Sequence, residues 1–354
     1  MLTLALSWEC NLDCRYCTID KSKKKVISID KAKKAIDLYF SYYNEKYPGK
    51  EKKIYFFGGE PFLHRKLLFN LTDYAKQKEK NPKFKITTNL TILNNEIIKY
   101  IKENNIELSI SLDGNKETTN KNRIFPNKNK SFDIITKNLK TLNENNIFPE
   151  ISMVYDPETD LLENLKFLLS LKIRSISFKP ILGSVGSRNF KKVFFEFNKA
   201  ADWYIDEIKN KRFHNIVLFR NMVSYIQTKK TFGLSPYCPA GLDDLFVSPE
   251  GEIYPCESFY ENSQYSLGTV DNYRKDKHYF LREFSLRLSE KKNCENCMFN
   301  GFCIGFCPSL NLKKNKKIFE PDSDNFYLNT IYGSVGMKIY HAIKDKPEIL
   351  SRLL

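Results

Sequence analysis

Short apolar segments alternate with amphipathic ones through the first half of the chain. Strands are predicted where apolar or β-branched runs occur, over residues 2–8, 53–57, 83–88, 106–112, 150–155 and 175–180. Helices are predicted where apolar residues recur every three or four positions, over residues 28–47, 63–79, 94–105, 131–145 and 159–171. This alternation favours parallel strands joined by right-handed crossovers, hence an α/β barrel or a doubly wound sheet.

The pattern changes after residue 190. Two helices are predicted over 191–230, and beyond 236 the chain is rich in Cys, Gly, Pro and aromatic residues with little helical periodicity. Helical periodicity returns in the tail, over 325–354. We therefore predict four segments, over residues 1–190, 191–235, 236–312 and 313–354.

Composition restricts the class of protein. The chain has 354 residues, of which 42% are hydrophobic and 28% charged, as in a globular protein with room for a large core. No apolar run approaches the roughly 20 residues of a membrane span, and "MLTLALSW" lacks the basic leader and cleavage site of a signal peptide. We expect a cytoplasmic protein without a membrane partner. In that reducing compartment its nine cysteines are expected to be metal ligands or reactive thiols, not disulfides.

The formal net charge of +15 is open to two interpretations. It could attract an acidic partner, such as nucleic acid, an anionic membrane or an acidic peptide. It could equally reflect lysines spread over solvated helix faces, since the chain has no long arginine-rich tail.

Three cysteines, Cys10, Cys14 and Cys17, directly follow the first predicted strand and have no fourth cysteine nearby. Sites in parallel α/β folds form at this carboxyl edge of the strands. Ferredoxin runs space their cysteines differently, and zinc sites prefer paired knuckles closed by four ligands. The spacing therefore favours a four-iron cluster with one iron left open, and the alternative is a zinc site completed by a distant residue.

The C-x3-C-x2-C spacing resembles the signature of radical S-adenosylmethionine (SAM) enzymes. Tyr16, before the third cysteine, matches the aromatic residue that lies near the adenine in that family. The resemblance implies a [4Fe-4S] cluster whose open iron binds the amino and carboxylate groups of SAM. Reductive cleavage of SAM then yields a 5′-deoxyadenosyl radical that abstracts a substrate hydrogen, and this chemistry belongs to the cofactor.

Further motifs occur in the order that this family shows. "FFGGEP" follows the second strand, and the resemblance assigns Gly58, Gly59 and Glu60 to the methionine amine of SAM. "ITTNL" (86–90) resembles the motif of the third strand. "SISLDG" resembles that of the fourth strand, which implies that Ser111 faces the ribose.

The segment "DGNKETTNKNR" ends in Arg123, which the resemblance assigns to the SAM carboxylate. The resemblance covers about residues 1–185 and implies a partial (β/α)6 barrel of the TIM type. The remaining chain is then a helical bridge, a small Cys-rich domain, and a tail with a C-terminal helix.

The other six cysteines form an ordered array that resembles the SPASM extension of radical SAM enzymes. That extension binds auxiliary four-iron clusters. By resemblance, one cluster would be held by Cys238, Cys256 and Cys307, and a farther one by Cys294, Cys297 and Cys303. The family's further cysteine downstream is absent, because no cysteine follows Cys307. One or two auxiliary clusters are therefore expected.

Glu257 directly follows Cys256, where the sulfatase-maturing group places an acidic general base. A carboxylate with an ordinary pKa near 4.3 is ionised at neutral pH and can accept a proton. The alternative is a solvated glutamate on a turn.

The function implied by the resemblance is oxidation or crosslinking of a peptide or protein. This substrate would be acidic if the net positive charge of the chain contributes to binding. Expected partners are that substrate and an electron donor of the flavodoxin or ferredoxin type. Cys10 leaves no room for a preceding leader-binding domain, so a separate leader-binding protein would be needed if the substrate carries a leader. The alternatives are a SPASM enzyme acting on a small molecule and a metal-bound scaffold for nucleic acid. The last is not favoured, because a scaffold needs no SAM site.

Overall fold

The structure is a computed structural model that describes residues 1–228, 240, 244–275, 307–316 and 323–353. Its strands are β1 Leu2–Ala5, β2 Lys53–Phe57, β3 Lys83–Thr88, β4 Glu107–Ser111, β5 Glu150–Tyr155, β6 Ser175–Pro180, β7 Leu245–Val247, β8 Ile253–Tyr254, β9 Gly268–Thr269 and β10 Asn272–Tyr273. Its α-helices are α1 Ile29–Lys46, α2 Arg65–Lys78, α3 Asn95–Glu103, α4 Lys116–Asn122, α5 Phe132–Glu144, α6 Leu161–Ser170, α7 Phe190–Lys209, α8 Val217–Thr228, α9 Pro308–Asn315, α10 Ser323–Ile343 and α11 Pro347–Leu353.

The chain divides into two compact units. The first comprises Met1–Ser111, Thr119–Pro149 and Pro239–Glu283, and the second comprises Leu112–Thr118, Glu150–Cys238 and Phe284–Leu354. The predicted boundaries at 190, 235 and 312 differ from this division by contacts and stay a prediction.

The sheet of the first unit has the strand order β4-β3-β2-β1-β7-β8. Its strands pair in parallel except for the antiparallel pair β7–β8. In β2 and β3 alternate positions are buried, with Ile54, Phe56, Phe84 and Ile86 at most 2% exposed. Parallel pairing brings the carboxyl ends of β1 to β4 to one edge, where the loops after these strands lie together.

Two helices of this unit begin after residues whose side chains cap the first turn. The Ser28 side chain accepts a hydrogen bond from the Lys31 amide at the start of α1, and the Asn94 side chain accepts one from the Ile97 amide at the start of α3. Such caps satisfy amides that have no partner within the helix. The predicted helix starts near 28 and 94 are therefore confirmed to within a residue.

The second unit contains the parallel pair β5–β6 and the helices α6 to α8 and α10. Helix α10 packs against α7 and α8, and Phe197, Phe219, Ile331 and Val335 are fully buried. Among the described residues, no helix is both long and apolar enough to cross a membrane.

Several elements differ from the sequence prediction, and strands β7 to β10 and helix α9 lie where no strand or helix was predicted. Strand β1 ends at Ala5. The Leu6 amide still donates to the Phe57 carbonyl of β2, but the Leu6 carbonyl accepts a hydrogen bond from the Ile27 amide outside the sheet. Helix α4 was not predicted, since "KETTNKN" has no apolar periodicity. The tail forms two helices, because Pro347 cannot continue α10 and starts α11 instead.

Candidate functional site

The loop after β1 carries the three predicted cluster ligands. The Cys17 amide donates to the Cys14 carbonyl at 3.1 Å, so these two cysteines share one turn. The Cys10 sulfur accepts a hydrogen bond from the Leu12 amide at 3.4 Å. Burial raises the pKa of the Cys10 thiol to about 11.

The donor set of this loop fits an iron–sulfur cluster better than a zinc ion. The loop offers three thiols, those of Cys10, Cys14 and Cys17, and no fourth cysteine. Sulfurs bound to zinc must each lie about 2.3 Å from the ion and close its coordination at four ligands. A four-iron cluster spans a wider space and binds thiolates almost exclusively. The three thiols of Cys10, Cys14 and Cys17 therefore fit a cluster with one iron open.

The two glycines after β2 lie against the start of the cysteine loop. The Gly59 amide donates to the Ser7 carbonyl at 2.8 Å, and the Glu60 amide donates to the Glu9 carbonyl at 2.8 Å. A Cβ atom on Gly59 would lie 1.9 Å from the Glu9 carbonyl oxygen, and one on Gly58 would lie 2.3 Å from the Ser7 carbonyl oxygen. Gly58 also has a φ of +130°, a conformation that favours glycine. The glycines thus allow two backbone segments to touch beside Cys10.

The Glu60 side chain is turned into the protein. It is 1% exposed, and its Oε1 atom accepts hydrogen bonds from the Thr88 hydroxyl at 2.7 Å and the Phe62 amide at 3.1 Å. Its Oε2 atom accepts one from the Asn89 amide at 2.7 Å. Burial raises the pKa of this carboxyl to about 7, although the three hydrogen bonds oppose that shift. The implied contact of Glu60 with the methionine amine stays a prediction, and the observed contacts of the carboxylate are internal.

Arg123 and Tyr16 lie together, as their implied roles at one SAM molecule require. The Arg123 guanidinium lies 5.5 Å from the centre of the Tyr16 ring. The amides of Asp13 and Arg15 donate hydrogen bonds of 2.6 and 2.9 Å to carbonyls of Ile124 and Asn122. Backbone pairing therefore joins the cysteine loop to the segment that carries Arg123, although more than a hundred residues separate them in sequence.

Ser111 is the last residue of β4 and is partly exposed. It therefore lies at the same edge of the sheet as the cysteine loop and the two glycines. No contact identifies it with the ribose, so that role stays a prediction.

Asn89 was singled out only as part of "ITTNL", without a role. Its side-chain amide lies 3.0 Å from Asn11 Oδ1 and 3.8 Å from Cys10 Sγ. Glu9 and His64 form a second pair that the sequence did not reveal, with 2.8 Å between Oε2 and Nε2. Both contacts join the cysteine loop to residues far away in sequence. For Asn89, the one sequence signal of a role at the site was that "TTN" lies at the end of a predicted strand.

A third such contact joins the residues after β1 to the segment 244–275. Trp8 Nε1 donates to Glu250 Oε1 at 3.2 Å, and the Tyr260 hydroxyl donates to Glu250 Oε2 at 3.1 Å. The rings of Trp8 and Tyr260 lie 4.8 Å apart. This contact fixes the loop that carries Cys256 beside the start of the cysteine loop.

The predicted auxiliary-cluster ligands are described only in part. Cys256 precedes a short 3-10 helix, Glu257–Phe259, and Glu257 itself is exposed. Cys307 precedes α9, with its sulfur 3.3 Å from Ser309 Oγ. The remaining four predicted ligands lie outside the described residues; they are Cys238, Cys294, Cys297 and Cys303. The assignment of these cysteines to one or two auxiliary clusters and the general-base role of Glu257 stay predictions.

Similarity to known proteins extends over most of the chain. Residues 9–168 match the model of the radical SAM superfamily. The chain is 26% identical to the cysteine-type anaerobic sulfatase-maturating enzyme of Clostridium novyi, over 92% of this chain and 90% of that protein. It is 25% identical to the antilisterial bacteriocin subtilosin biosynthesis protein AlbA of Bacillus subtilis, over 89% of this chain and 68% of AlbA.

Among solved structures, the chain is similar to native anSMEcpe with bound AdoMet, which is SAM, and a Kp18Cys peptide. The TM-score is 0.78 at 18% identity, and the match covers 99% of each chain. The predicted α/β fold with mostly parallel strands, of the partial-barrel type, is thereby confirmed. Residues 9–168 thus carry the match to the radical SAM superfamily, and the chain is similar along most of its length to an anaerobic sulfatase-maturating enzyme and to AlbA.

Proposed function

We propose that this enzyme cleaves SAM reductively and uses the resulting radical to oxidise or crosslink a peptide or protein. The observation that carries the proposal is the convergence at one sheet edge of the three-cysteine loop, the glycine pair after β2 and the Arg123–Tyr16 contact. The cysteine loop suits the cluster, and the other two features suit different parts of one SAM molecule. The proposal includes a cytoplasmic location and a small electron-transfer protein as reductant.

The chain's own residues divide the work of binding. Cys10, Cys14 and Cys17 would hold a [4Fe-4S] cluster, which when bound supplies the electron for cleavage of SAM. Arg123 offers a guanidinium to the SAM carboxylate, where a charge-assisted, bidentate hydrogen bond would fix its orientation. Tyr16, against the same guanidinium, provides an aromatic face for the adenine.

A peptide substrate is supported by the kind of relatives that the chain resembles. The similar solved structure contains both bound AdoMet and a peptide, and AlbA acts in the biosynthesis of a bacteriocin. The net charge of +15 suits an acidic peptide. One or two auxiliary clusters on the six later cysteines would serve this substrate step. The alternative is a SPASM enzyme that oxidises or epimerises a small molecule.

The substrate class can be tested with the reconstituted, dithionite-reduced enzyme. The probes are synthetic peptides from sulfatase maturation sites and from short reading frames beside the gene, compared with the low-molecular-weight fraction of a cell extract. We expect at least one peptide to change mass in a SAM-dependent way and to raise the release of 5′-deoxyadenosine. If only the low-molecular-weight fraction raises that release, the small-molecule alternative replaces the proposal.

Glu257→Gln is expected to separate the substrate step from SAM cleavage. The variant keeps the side chain's shape and removes its basicity, and loss of a general base typically lowers the rate by about 10²–10⁴. Product formation, followed by mass spectrometry, should fall accordingly. Release of 5′-deoxyadenosine without substrate should stay at the wild-type rate.

Glu261→Gln is the matched control, because Glu261 lies four residues further on and pairs with Lys23 at the surface. We expect it to leave both steps unchanged. Product formation at the wild-type rate in Glu257→Gln would show that Glu257 is a solvated turn residue.

A further inference from the structure

Asn89 lies between the buried end of β3 and the cysteine loop. It is 7% exposed, and its Oδ1 atom accepts hydrogen bonds from the Thr91 amide at 2.9 Å and the Thr91 hydroxyl at 2.6 Å. With two donors on the oxygen, the amino group of this amide must face the other way. There it meets Asn11 Oδ1 at 3.0 Å and Cys10 Sγ at 3.8 Å.

The position of Asn89 is itself fixed by hydrogen bonds to the buried Glu60 side chain. Glu60 Oε2 accepts the Asn89 backbone amide, and Glu60 Oε1 accepts the Thr88 hydroxyl, both at 2.7 Å. The next residue, Leu90, is fully buried and has a φ of +54°, which a branched side chain rarely adopts. Such a conformation persists only where neighbouring contacts hold it. The buried carboxylate thus holds the turn that aims Asn89 at the cysteine loop.

A hydrogen bond to a cysteine that ligates an iron–sulfur cluster affects how easily the cluster is reduced. Adding an electron to an iron–sulfur cluster increases the negative charge on its thiolates, and N–H donors stabilise that charge. Cys10 Sγ accepts one such bond from the Leu12 backbone at 3.4 Å and a second from the Asn89 side chain. The side-chain donor is the one that a substitution can remove.

We propose that Asn89 is a positioning residue of the first cluster: its side-chain amide, held in place by Glu60, donates to the Cys10 sulfur and so makes the cluster easier to reduce. This inference rests on the proposed function in that Cys10 must ligate the cluster. It gives Glu60 an internal role as the support of Asn89, distinct from contact with the methionine amine.

The test is a redox titration of the reconstituted holoenzyme followed by electron paramagnetic resonance. The signal of the first cluster is recognised because it changes when SAM is added. Asn89→Asp keeps the shape and the oxygen facing Thr91 but replaces the donor with a second oxygen, and Asn89→Ser removes the amide without adding charge. At a fixed potential we expect the ratio of reduced to oxidised cluster to fall about tenfold in Asn89→Asp, or about 59 mV for one electron. Asn89→Ser should shift the ratio in the same direction by less.

Asn138→Asp is the matched control. Its amide donates to the Leu90 carbonyl at 2.9 Å, so the chemical change is identical but removes a donor to a backbone carbonyl and not to a cysteine sulfur. The control should titrate like wild type. Glu60→Gln should follow the Asn89 variants, because its single side-chain oxygen cannot replace both acceptors, Oε2 for the Asn89 backbone amide and Oε1 for the Thr88 hydroxyl.

Two outcomes would overturn the proposal. One is a wild-type reduction potential of the first cluster in both Asn89 variants, measured in protein that carries full iron. The other is loss of first-cluster iron in both variants with an unchanged thermal unfolding curve. Asn89 would then stabilise the cysteine loop without affecting the reduction potential of the cluster. Failure of the proposed function would look different, because the wild-type protein itself would then show no cluster signal that responds to SAM.

Discussion

Replacing Cys10, Cys14 and Cys17 together with alanine is expected to reduce 5′-deoxyadenosine release to the level of a reaction without enzyme. The three thiols are the only cysteines of the first unit's β1 loop, and the six other cysteines follow residue 237. Iron bound by the later cysteines should remain. The readouts are chromatography of 5′-deoxyadenosine and the iron content per chain.

The matched control is the double variant Cys256→Ala, Cys307→Ala, which leaves the first loop intact. It should lose part of the iron and still cleave SAM without substrate. If the triple variant cleaves SAM as wild type does, the first cluster has been assigned to the wrong cysteines. If the double variant alone stops cleavage, the SAM site lies with the later cysteines.

Gly59→Ala is expected to be nearly as damaging as loss of the cysteines. The added Cβ would lie 1.9 Å from the Glu9 carbonyl oxygen and 2.9 Å from the Trp8 carbonyl oxygen, and both are backbone atoms that cannot rotate away. Overpacking typically costs about 1–3 kcal/mol, and the backbone must move to relieve it. That movement displaces the residue next to Cys10, so first-cluster iron and SAM cleavage should fall together.

Gly49→Ala controls for loss of a glycine as such. Gly49 has a φ of +77°, but a Cβ there would meet nothing within 4 Å. Only conformational strain is added, of about 1–2 kcal/mol. Urea unfolding should therefore report a loss of stability in both variants, whereas SAM cleavage should be lost only in Gly59→Ala. Wild-type cleavage by Gly59→Ala would contradict the importance of this close approach.

The sequence predicted most of the strands well, because strands depend on local patterns. Strand positions 53–57, 83–88, 150–155 and 175–180 are confirmed to the residue, since alternation and buried apolar runs are properties of consecutive residues. The C-x3-C-x2-C spacing is equally local. Helix α4 escaped prediction because a short polar helix has no apolar face to reveal it.

The direction in which the buried Glu60 side chain points could not be predicted from the sequence. "GGEP" identified a carboxylate beside two glycines, but whether Glu60 faces the site or the core depends on its partners Thr88 and Asn89, about 30 positions away. The pairing of Asn89 with Cys10 spans 79 positions, and that of Trp8 with Glu250 spans 242. Such contacts depend on how distant segments pack, and no periodicity encodes them.

The central claim is that the first cluster keeps one iron open and that SAM binds it. The most direct test is the electron paramagnetic resonance spectrum of the reduced wild-type protein, recorded before and after addition of saturating SAM. The account predicts that the signal lost in the Cys10, Cys14 and Cys17 triple variant is the one that changes shape on addition of SAM. Superimposable spectra with and without SAM, in protein that carries full iron, would contradict it.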